Sequence, residues 1–148
     1  MEWIQKSFKN LTKTELYEIA KLRNEVFVVE QKCNYQDLDD FDQPSTHLFL
    51  LNDDTIIAYI RLIPSGHFYK EASLGRVVVK KEYRGKGYGK ELISRGMQIM
   101  TEEMNEKVIK IQGEAYLKEF YKTFGFKEIT EEYIDYGLWH IDMLYHSN

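Results

Sequence analysis

Apolar positions recur along this chain with two different periods, and the order of these segments predicts a mixed α/β (α+β) fold. Short apolar runs bounded by polar or turn residues predict strands, whereas apolar positions that repeat every three to four residues predict amphipathic helices. The predicted strands are residues 2–8, 48–51, 56–63, 72–79, 107–111, 127–130 and 138–145, and the predicted helices begin near 12–14, near 90 and at 115. This order, βαβββαβαββ, predicts a mixed central sheet of about six to seven strands with helices on its faces.

The first predicted helix is followed by a long polar segment. Thr12 or Thr14 can cap the start of this helix. Residues 31–46 lose the apolar pattern and contain four aspartates, which predicts a loop of a length that is unusual unless it is functional. The apolar positions of the helix at the helical period are Leu16, Ile19, Ala20, Val26 and Phe27.

The composition is that of one globular domain, predicted to span residues 1–148. Charged residues make up 30% and hydrophobic residues 43% of the chain, which argues against a disordered or membrane-embedded class. The net charge of −4 gives no electrostatic footprint for nucleic-acid binding, and no apolar stretch approaches the ~20 residues that span a bilayer.

A single cysteine, Cys33, allows no intramolecular disulfide and fits a reducing cytoplasm. His47 and His140 lack the spaced partners of a metal site, so no metal is expected.

Residues 84–89 read Arg-Gly-Lys-Gly-Tyr-Gly and stand between a predicted strand and a predicted helix. Glycine has no Cβ, so such a loop can turn sharply and bring several backbone N–H groups to one small anion. The following helix adds the free donors of its first turn and the positive end of its dipole. The loop therefore predicts a phosphate-bearing ligand, and a glycine-rich turn that only caps the helix is the alternative.

The spacing of the glycines separates the known phosphate-binding patterns. A P-loop requires four residues between its glycines and then Lys-Ser/Thr, which this loop lacks. The dinucleotide fingerprint G-x-G-x-x-G fits poorly, because the run here is G-x-G-x-G. The remaining pattern, Arg/Gln-x-x-Gly-x-Gly/Ala, is satisfied by Arg84, Gly87 and Gly89. It resembles the pyrophosphate loop of the Gcn5-related N-acetyltransferase (GNAT) family.

A second motif supports the same resemblance. Residues 115–126 contain the pair Phe120-Tyr121 and end in Gly125-Phe126, similar to the GNAT helix that carries a Phe/Leu-Tyr pair and ends at Gly-Phe. Taken alone, the segment also fits a buried aromatic helix with a glycine cap. The two motifs stand in the order and separation typical of the family. The likeness covers most of the chain, and the segments that resemble the ElaA-like subfamily are 22–33, 35–39, 75–79 and 140–143.

The resemblance implies the GNAT acyl-CoA N-acyltransferase fold and the family's reaction. In that reaction, the acetyl group of acetyl-CoA moves to a primary amine of a small molecule or peptide by direct attack in a ternary complex. Glu114 departs from the family pattern, since many members carry an asparagine there that binds pantetheine. The cofactor-binding residues that the resemblance implies are Val77, Val78, Val79, Arg84, Gly85, Lys86, Gly87, Tyr88, Gly89, Lys90, Glu114 and Phe120.

Tyr121 and Glu71 are the expected catalytic residues. Tyr121 holds the position of the family's acid tyrosine, which protonates the leaving thiolate; a tyrosine that only packs against the cofactor is the alternative. The family's glutamate base on the fourth strand corresponds to Ser73, which cannot serve as a base unaided. With a period of two, Glu71 shares a face with Ser73, Val77 and Val79 and is the displaced candidate. Deprotonation of the amine through water, without a dedicated base, stays open.

Two arginines stand where the helix and strand periods predict inward side chains. Arg23 lies on the apolar face of the first helix, and Arg76 alternates with Leu74 and Val78 on the fourth strand. A buried cation requires an anionic partner or a wet cavity. One hypothesis is therefore a structural ion pair that anchors the acidic loop. The other is a substrate-binding pocket for the acceptor, formed by Arg23, Glu30, Asp37, Arg76 and His140.

The leading functional prediction is a cytoplasmic acetyl-CoA-dependent N-acetyltransferase that uses no metal and has no nucleic-acid or membrane partner. Residues 23–27 and 75–78 also resemble acyl-homoserine-lactone synthases, which are relatives in fold and usually longer. A non-catalytic acyl-CoA-binding sensor is a third hypothesis, from a different functional class. The sequence specifies neither the acceptor nor the oligomeric state, and it allows a homodimer.

Overall fold

Eight strands and three α-helices follow one another in the order βαβββαβαβββ. The computed structural model describes residues 1–148. The helices are α1 (Lys13–Arg23), α2 (Tyr88–Gln98) and α3 (Lys118–Lys122). The strands are β1 (Glu2–Ser7), β2 (Thr46–Asn52), β3 (Thr55–Ile63), β4 (Ser73–Val79), β5 (Val108–Glu114), β6 (Lys127–Glu128), β7 (Tyr133–Asp135) and β8 (Leu138–His146). None of the helices combines the length and the hydropathy needed to cross a membrane.

The strands form two antiparallel groups, β1-β2-β3-β4 and β5-β8-β6, and β7 adds to β8. One parallel bridge joins the groups, between Ala72 just before β4 and Ile109 on β5. The Lys110 N–H donates to the Ala72 carbonyl there at 2.8 Å. Beyond this bridge, β4 and β5 run in the same direction without pairing, so their facing edges separate toward Val79 and Glu114. The strand order confirms the predicted mixed sheet and places a split at its centre.

The sequence predicts the start of α1 correctly within one turn. Thr12 caps the helix in a capping box: its hydroxyl accepts from the Glu15 N–H at 3.0 Å, and the Glu15 carboxylate accepts from the Thr12 N–H at 2.8 Å. The chain continues as a π-helical segment, Asn24–Glu30. Leu16 is exposed, which corrects its predicted place on the inward face. The buried residues of this helical region are Ile19, Leu22, Arg23, Val26 and Phe27.

Two hydrophobic clusters cover opposite faces of the first group of strands. The larger cluster packs α2 against the sheet through Leu92, Ile93 and Met97, as the apolar stripe of that helix predicts. The smaller cluster packs α1 against the other face and includes Tyr59 and Val78. The two sides of the sheet are called below the α2 face and the α1 face.

The structure differs from the predicted elements mainly near the carboxyl end. Residues 115–117 form a 3₁₀ turn, so the predicted helix from 115 is reduced to α3. Strand β5 extends three residues further than predicted, to Glu114. Strand β7 is absent from the prediction, because three residues are too few to show a period of two.

Candidate functional site

A cavity of about 560 Å³ opens at the split between β4 and β5. Its wall includes Ile111 and Gly113 of β5 and also Gln112 and Glu114, which alternate with them. Because successive residues of a strand point to opposite faces of the sheet, the cavity is accessible from both faces. The split leaves the facing backbone edges of the two strands unpaired. An extended ligand that carries amide groups can bind to such edges as an added strand does.

A bulge in β4 changes which residues face the cavity. Arg76 has φ 51°, and the pairing of β3 with β4 shifts register between Tyr59 and Arg61. As a result, Leu74 packs in the larger cluster and Val78 in the smaller one, although they are four residues apart. The predicted alternation of Arg76 with both residues is therefore wrong.

The same bulge corrects the predicted face of Glu71. Val77 and Val79 pack on the α2 face. Ser73 follows Ala72 and precedes Leu74, which both pack in the larger cluster, so Ser73 belongs to the α1 face. Glu71 does not line the cavity, whereas Ser73 and Val77 do. Because Glu71 stands two residues before Ser73, it too belongs to the α1 face and shares no face with Val77 and Val79.

The glycine loop leads from β4 into α2 as the sequence predicts. Gly85 and Gly87 have φ of 78° and 87°, and Gly87 is the N-cap of α2. A Cβ at Gly85, Gly87 or Gly89 would meet nothing within 4 Å, so the space beside the loop is open. Residues 85–87 donate no backbone hydrogen bonds, and the first turn of α2 has no intrahelical partners for its N–H groups. The loop can therefore present consecutive donors to an anion.

Arg84, the first residue of this loop, is held by two elements. Its Nε donates to the Val79 carbonyl at 2.9 Å, and its two Nη atoms lie 2.5 and 3.1 Å from the carboxylate oxygens of Glu30. The pairing with Arg84 lowers the pKa of Glu30. Glu30 thus contacts the glycine loop and does not line the cavity, which separates it from Arg76 and His140, the predicted acceptor residues that do.

Tyr121 reaches the cavity from α3 and packs against β5. A Cβ at Gly113 would lie 3.1 Å from the Tyr121 ring, so glycine at this position permits the close approach. Burial, with smaller contributions from Glu114 and Tyr116, raises the pKa of Tyr121 to about 12. The phenol is therefore protonated at neutral pH and is available as a proton donor. Phe120 also lines the cavity, and its ring packs edge-on to Tyr121 at 5.5 Å.

Glu114 and His140 lie directly opposite each other on β5 and β8, and both line the cavity. Tyr133 on β7 continues the same row, since it pairs in register with His140. The His140 Nδ1 atom lies 2.9 Å from the carbonyl oxygen of Leu138. Polar side chains from three adjacent strands thus form a row beside the cavity.

A network of three arginines and three aspartates fixes the acidic loop to the sheet. Arg23 is 1% exposed and bonds Asp37 at 3.0 Å and Asp42 at 2.7 Å. Arg61 bonds Asp42 at 2.9 Å from the other side. Burial opposes the charge on Asp42, yet Arg23 and Arg61 hold its pKa below the ordinary value.

The cavity side of this network is formed by Arg61, Arg76 and Asp39, which all line the cavity. Asp39 accepts from both arginines, at 2.7 Å from Arg61 and 3.2 Å from Arg76. Arg23 and Asp37 do not line the cavity. Of the two hypotheses for the arginines, the structural ion pair therefore applies to Arg23, and its predicted place in an acceptor pocket is corrected. Arg76 belongs to both the network and the cavity wall.

Arg61, Asp42 and the pair His47–Tyr59 are missing from the predicted site. His47 Nδ1 lies 2.7 Å from the Tyr59 hydroxyl, and Nε2 lies 2.9 Å from the Asp42 carbonyl. Because a carbonyl only accepts, Nε2 carries the proton and Nδ1 accepts from Tyr59. An arginine within the apolar run 56–63 is the sequence signal that could have identified Arg61.

Apart from Arg23, Glu30, Asp37 and Glu71, whose places are described above, the predicted site residues divide into three groups. Val78 is buried in the smaller cluster, so its side chain is not accessible to a ligand. No group of three or more His, Cys, Asp or Glu side chains is arranged to hold a metal ion. The predicted residues that line the cavity are Arg76, Val77, Gly89, Glu114, Phe120, Tyr121 and His140. The predicted residues that form or flank the glycine loop and lie outside the cavity wall are Val79, Arg84, Gly85, Lys86, Gly87, Tyr88 and Lys90.

Comparison with known proteins identifies relatives along nearly the whole chain. Residues 12–146 match a family model described as an acetyltransferase (GNAT) domain. A UPF0039 protein of Synechocystis is 38% identical over 146 residues, which are 98% of this chain and 95% of that protein. Among solved structures, an acyl-CoA N-acyltransferase from Pseudomonas aeruginosa superposes with a TM-score of 0.92 at 35% identity, covering 97% of this chain and 98% of the other. Escherichia coli ElaA superposes with a TM-score of 0.90 at 34% identity, covering 99% and 100%.

Proposed function

Since this chain belongs to the GNAT family and has the acyl-CoA N-acyltransferase fold, we propose that it is an acetyl-CoA-dependent N-acetyltransferase. Its acceptor is the primary amine of a small molecule or peptide, and transfer occurs by direct attack in a ternary complex. The observation that carries the proposal is the split between β4 and β5, which opens a cavity with Gly89 of the glycine loop and Tyr121 on its wall.

The donor half of the proposal rests on backbone groups. The pyrophosphate binds to the N–H groups of residues 85–90, which have open space beside them. The pantetheine arm lies along β4 at Val77 and Val79 and uses the unpaired strand edge. Glu114 and Phe120, on the opposite wall, contact the arm near its thiol end. Binding of this kind aligns the thioester and converts a bimolecular reaction into an oriented one.

The transfer step requires a proton donor for the sulfur. The amine nitrogen attacks the thioester carbonyl carbon, the C–N bond forms, and the C–S bond breaks. Tyr121 donates its phenolic proton to the departing thiolate, for which its protonated state at neutral pH is suited. Glu71 lies outside the cavity wall, so a role for it as base requires an intervening water.

The acceptor half involves the cavity wall on the α1 face. Arg76 and Asp39 line it from the strand and the acidic loop, and His140 lines it from β8. Arg76 and His140 are proposed to contact the acceptor. Arg23 and Asp37 support this wall through the ion-pair network, and Glu30 acts at the glycine loop through Arg84.

Calorimetry with acetyl-CoA and a thiol-release assay over an amine panel test the proposal together. The panel contains alkylamines, polyamines, amino acids and peptides with a free amino terminus. We expect acetyl-CoA to bind and thiol to be released only when a suitable amine is present. Binding without release across the panel would favour an acyl-CoA sensor, for which Ser73 in place of the family's glutamate is the supporting feature. Absence of binding would contradict both functions.

A further inference from the structure

His140 occupies the side of the sheet from which an acceptor can approach the split. Gly113 contacts the Tyr121 ring on the α2 face, and Glu114, the next residue of β5, points to the other face. His140 pairs in register with Glu114, so the two side chains share that other face. The imidazole and the Tyr121 phenol therefore approach the same cavity from opposite faces of the β5–β8 pair.

The hydrogen bond of His140 fixes which ring nitrogen is free. The partner of Nδ1 is the Leu138 carbonyl, which can only accept, so Nδ1 carries the proton in the neutral ring. The Nε2 atom then has a lone pair, and it has no hydrogen-bond partner within the protein. A base that is oriented by a second group in this way is typical of acid–base sites.

We infer that His140 is the general base of the transfer, an inference that rests on the acetyltransferase function proposed above. The proton of the attacking amine moves to Nε2 as the C–N bond forms, and the C–S bond breaks as Tyr121 protonates the sulfur. The products are the N-acetylated amine and CoA with a free thiol. The imidazolium then releases its proton to solvent, and the Tyr121 phenolate recovers one, so the enzyme returns to its starting state.

The surroundings of the imidazole are polar and include several titratable groups. Glu114 faces it from β5, and Tyr133 faces it from β7 with ring centres 6.3 Å apart. Asp142, two residues further along β8, bonds the Tyr133 hydroxyl.

The variant His140→Asn tests the inference, because its side-chain amide can still donate to the Leu138 carbonyl while it provides no basic lone pair. His146→Asn, on the same strand and outside the cavity, is the matched control. Single-turnover thiol release is measured against pH with acetyl-CoA and the best alkylamine of the panel, and again with O-methylhydroxylamine, which is uncharged at neutral pH. Acetyl-CoA affinity is measured in parallel by calorimetry.

We expect His140→Asn to lower the single-turnover rate about 100-fold with the alkylamine and to leave acetyl-CoA affinity unchanged. The deficit should narrow as the pH rises and with O-methylhydroxylamine, because an uncharged amine depends less on a base. An unchanged rate, or an equal loss at every pH and with both amines, would overturn the inference and leave the acetyltransferase function intact. If the unmodified protein releases no thiol with any amine, the proposed function fails and the inference fails with it.

Discussion

Arg61 on β3 holds Asp39 of the acidic loop through two parallel hydrogen bonds, 2.7 Å from Nη1 to Oδ1 and 2.9 Å from Nη2 to Oδ2. Such a bidentate pair fixes both position and orientation. Because both side chains line the cavity, this contact makes the acidic loop part of the cavity wall. The long loop between the first helix and the second strand therefore contributes to the site through its ion pairs.

The buried end of this network predicts a stability defect. Arg23→Met leaves the carboxylates of Asp37 and Asp42 without their main buried partner, and we expect the free energy of unfolding to fall by about 3–5 kcal/mol. Lys21→Met, on the exposed side of α1, is the control and should change it little. Chemical denaturation measures both variants. Equal stability of Arg23→Met and Lys21→Met would contradict the anchoring role of Arg23. An Arg23→Met protein that stays fully stable but loses acetyl transfer would contradict it as well.

His47 predicts a pH dependence of stability. Burial lowers its pKa below the ordinary value of 6.5, so the folded protein binds fewer protons there than the unfolded chain does. The stability should therefore decrease as the pH drops below 6.5, until the lower folded pKa is passed. Thermal unfolding of His47→Gln should show a flatter profile between about pH 7 and about pH 5. His146→Gln, which alters an exposed imidazole, should keep the profile of the unmodified protein, and an identical slope in all three would refute this role.

The glycine loop predicts a selective loss of cofactor affinity. Gly87→Ala places a side chain at φ 87°, which costs about 1–2 kcal/mol of strain, and should distort the N–H groups that are proposed to bind the pyrophosphate. Gly66→Ala imposes similar strain at φ 83°, also with nothing within 4 Å of the added Cβ, and lies outside the site. Calorimetry should show weaker acetyl-CoA binding only for Gly87→Ala. Equal affinities in the two variants would show that the loop does not bind the ligand.

Tyr121 predicts a defect in the chemical step. Tyr121→Phe removes the proposed proton donor and should reduce kcat about 10²- to 10⁴-fold, with acetyl-CoA affinity retained. Tyr145→Phe is a matched control, since Tyr121 and Tyr145 both pack against Phe126, at 6.0 and 5.8 Å between ring centres. Rates at saturating substrates distinguish the two. Full activity of Tyr121→Phe would leave Tyr121 with only the packing role.

The sequence predicts most strands and helices because their apolar periods are long enough to read, as in the α2 stripe Leu92, Ile93 and Met97. The bulge at Arg76 has no such signal, since nothing in the pattern marks an arginine at positive φ. One inserted residue reverses the faces on either side of it, so the predicted positions of Glu71 and Val77 relative to each other are wrong. The glycine loop before α2 and the place of Tyr121 beside the cavity agree with the structure because their motifs are local, and their roles stay predictions.

The ion-pair network escapes prediction for a different reason. Arg61 and Asp39 are far apart in sequence, and only the pairing of β2 with β3 and the path of the loop before β2 bring them together. The row of Glu114, His140 and Tyr133 likewise depends on the register of three strands. Residues whose positions depend on register and loop path are accessible only from the folded structure.

Mass spectrometry of the amine after reaction with acetyl-CoA tests the proposed transfer most directly. For an accepted amine, we expect one N-acetylated molecule for each CoA thiol released, and no thiol release when the amine is omitted. Tyr121→Phe should slow both products equally, and Tyr145→Phe should slow neither. Thiol release without acetylated amine, or acetyl-CoA binding with neither product across the panel, would contradict the assignment of this protein as an N-acetyltransferase.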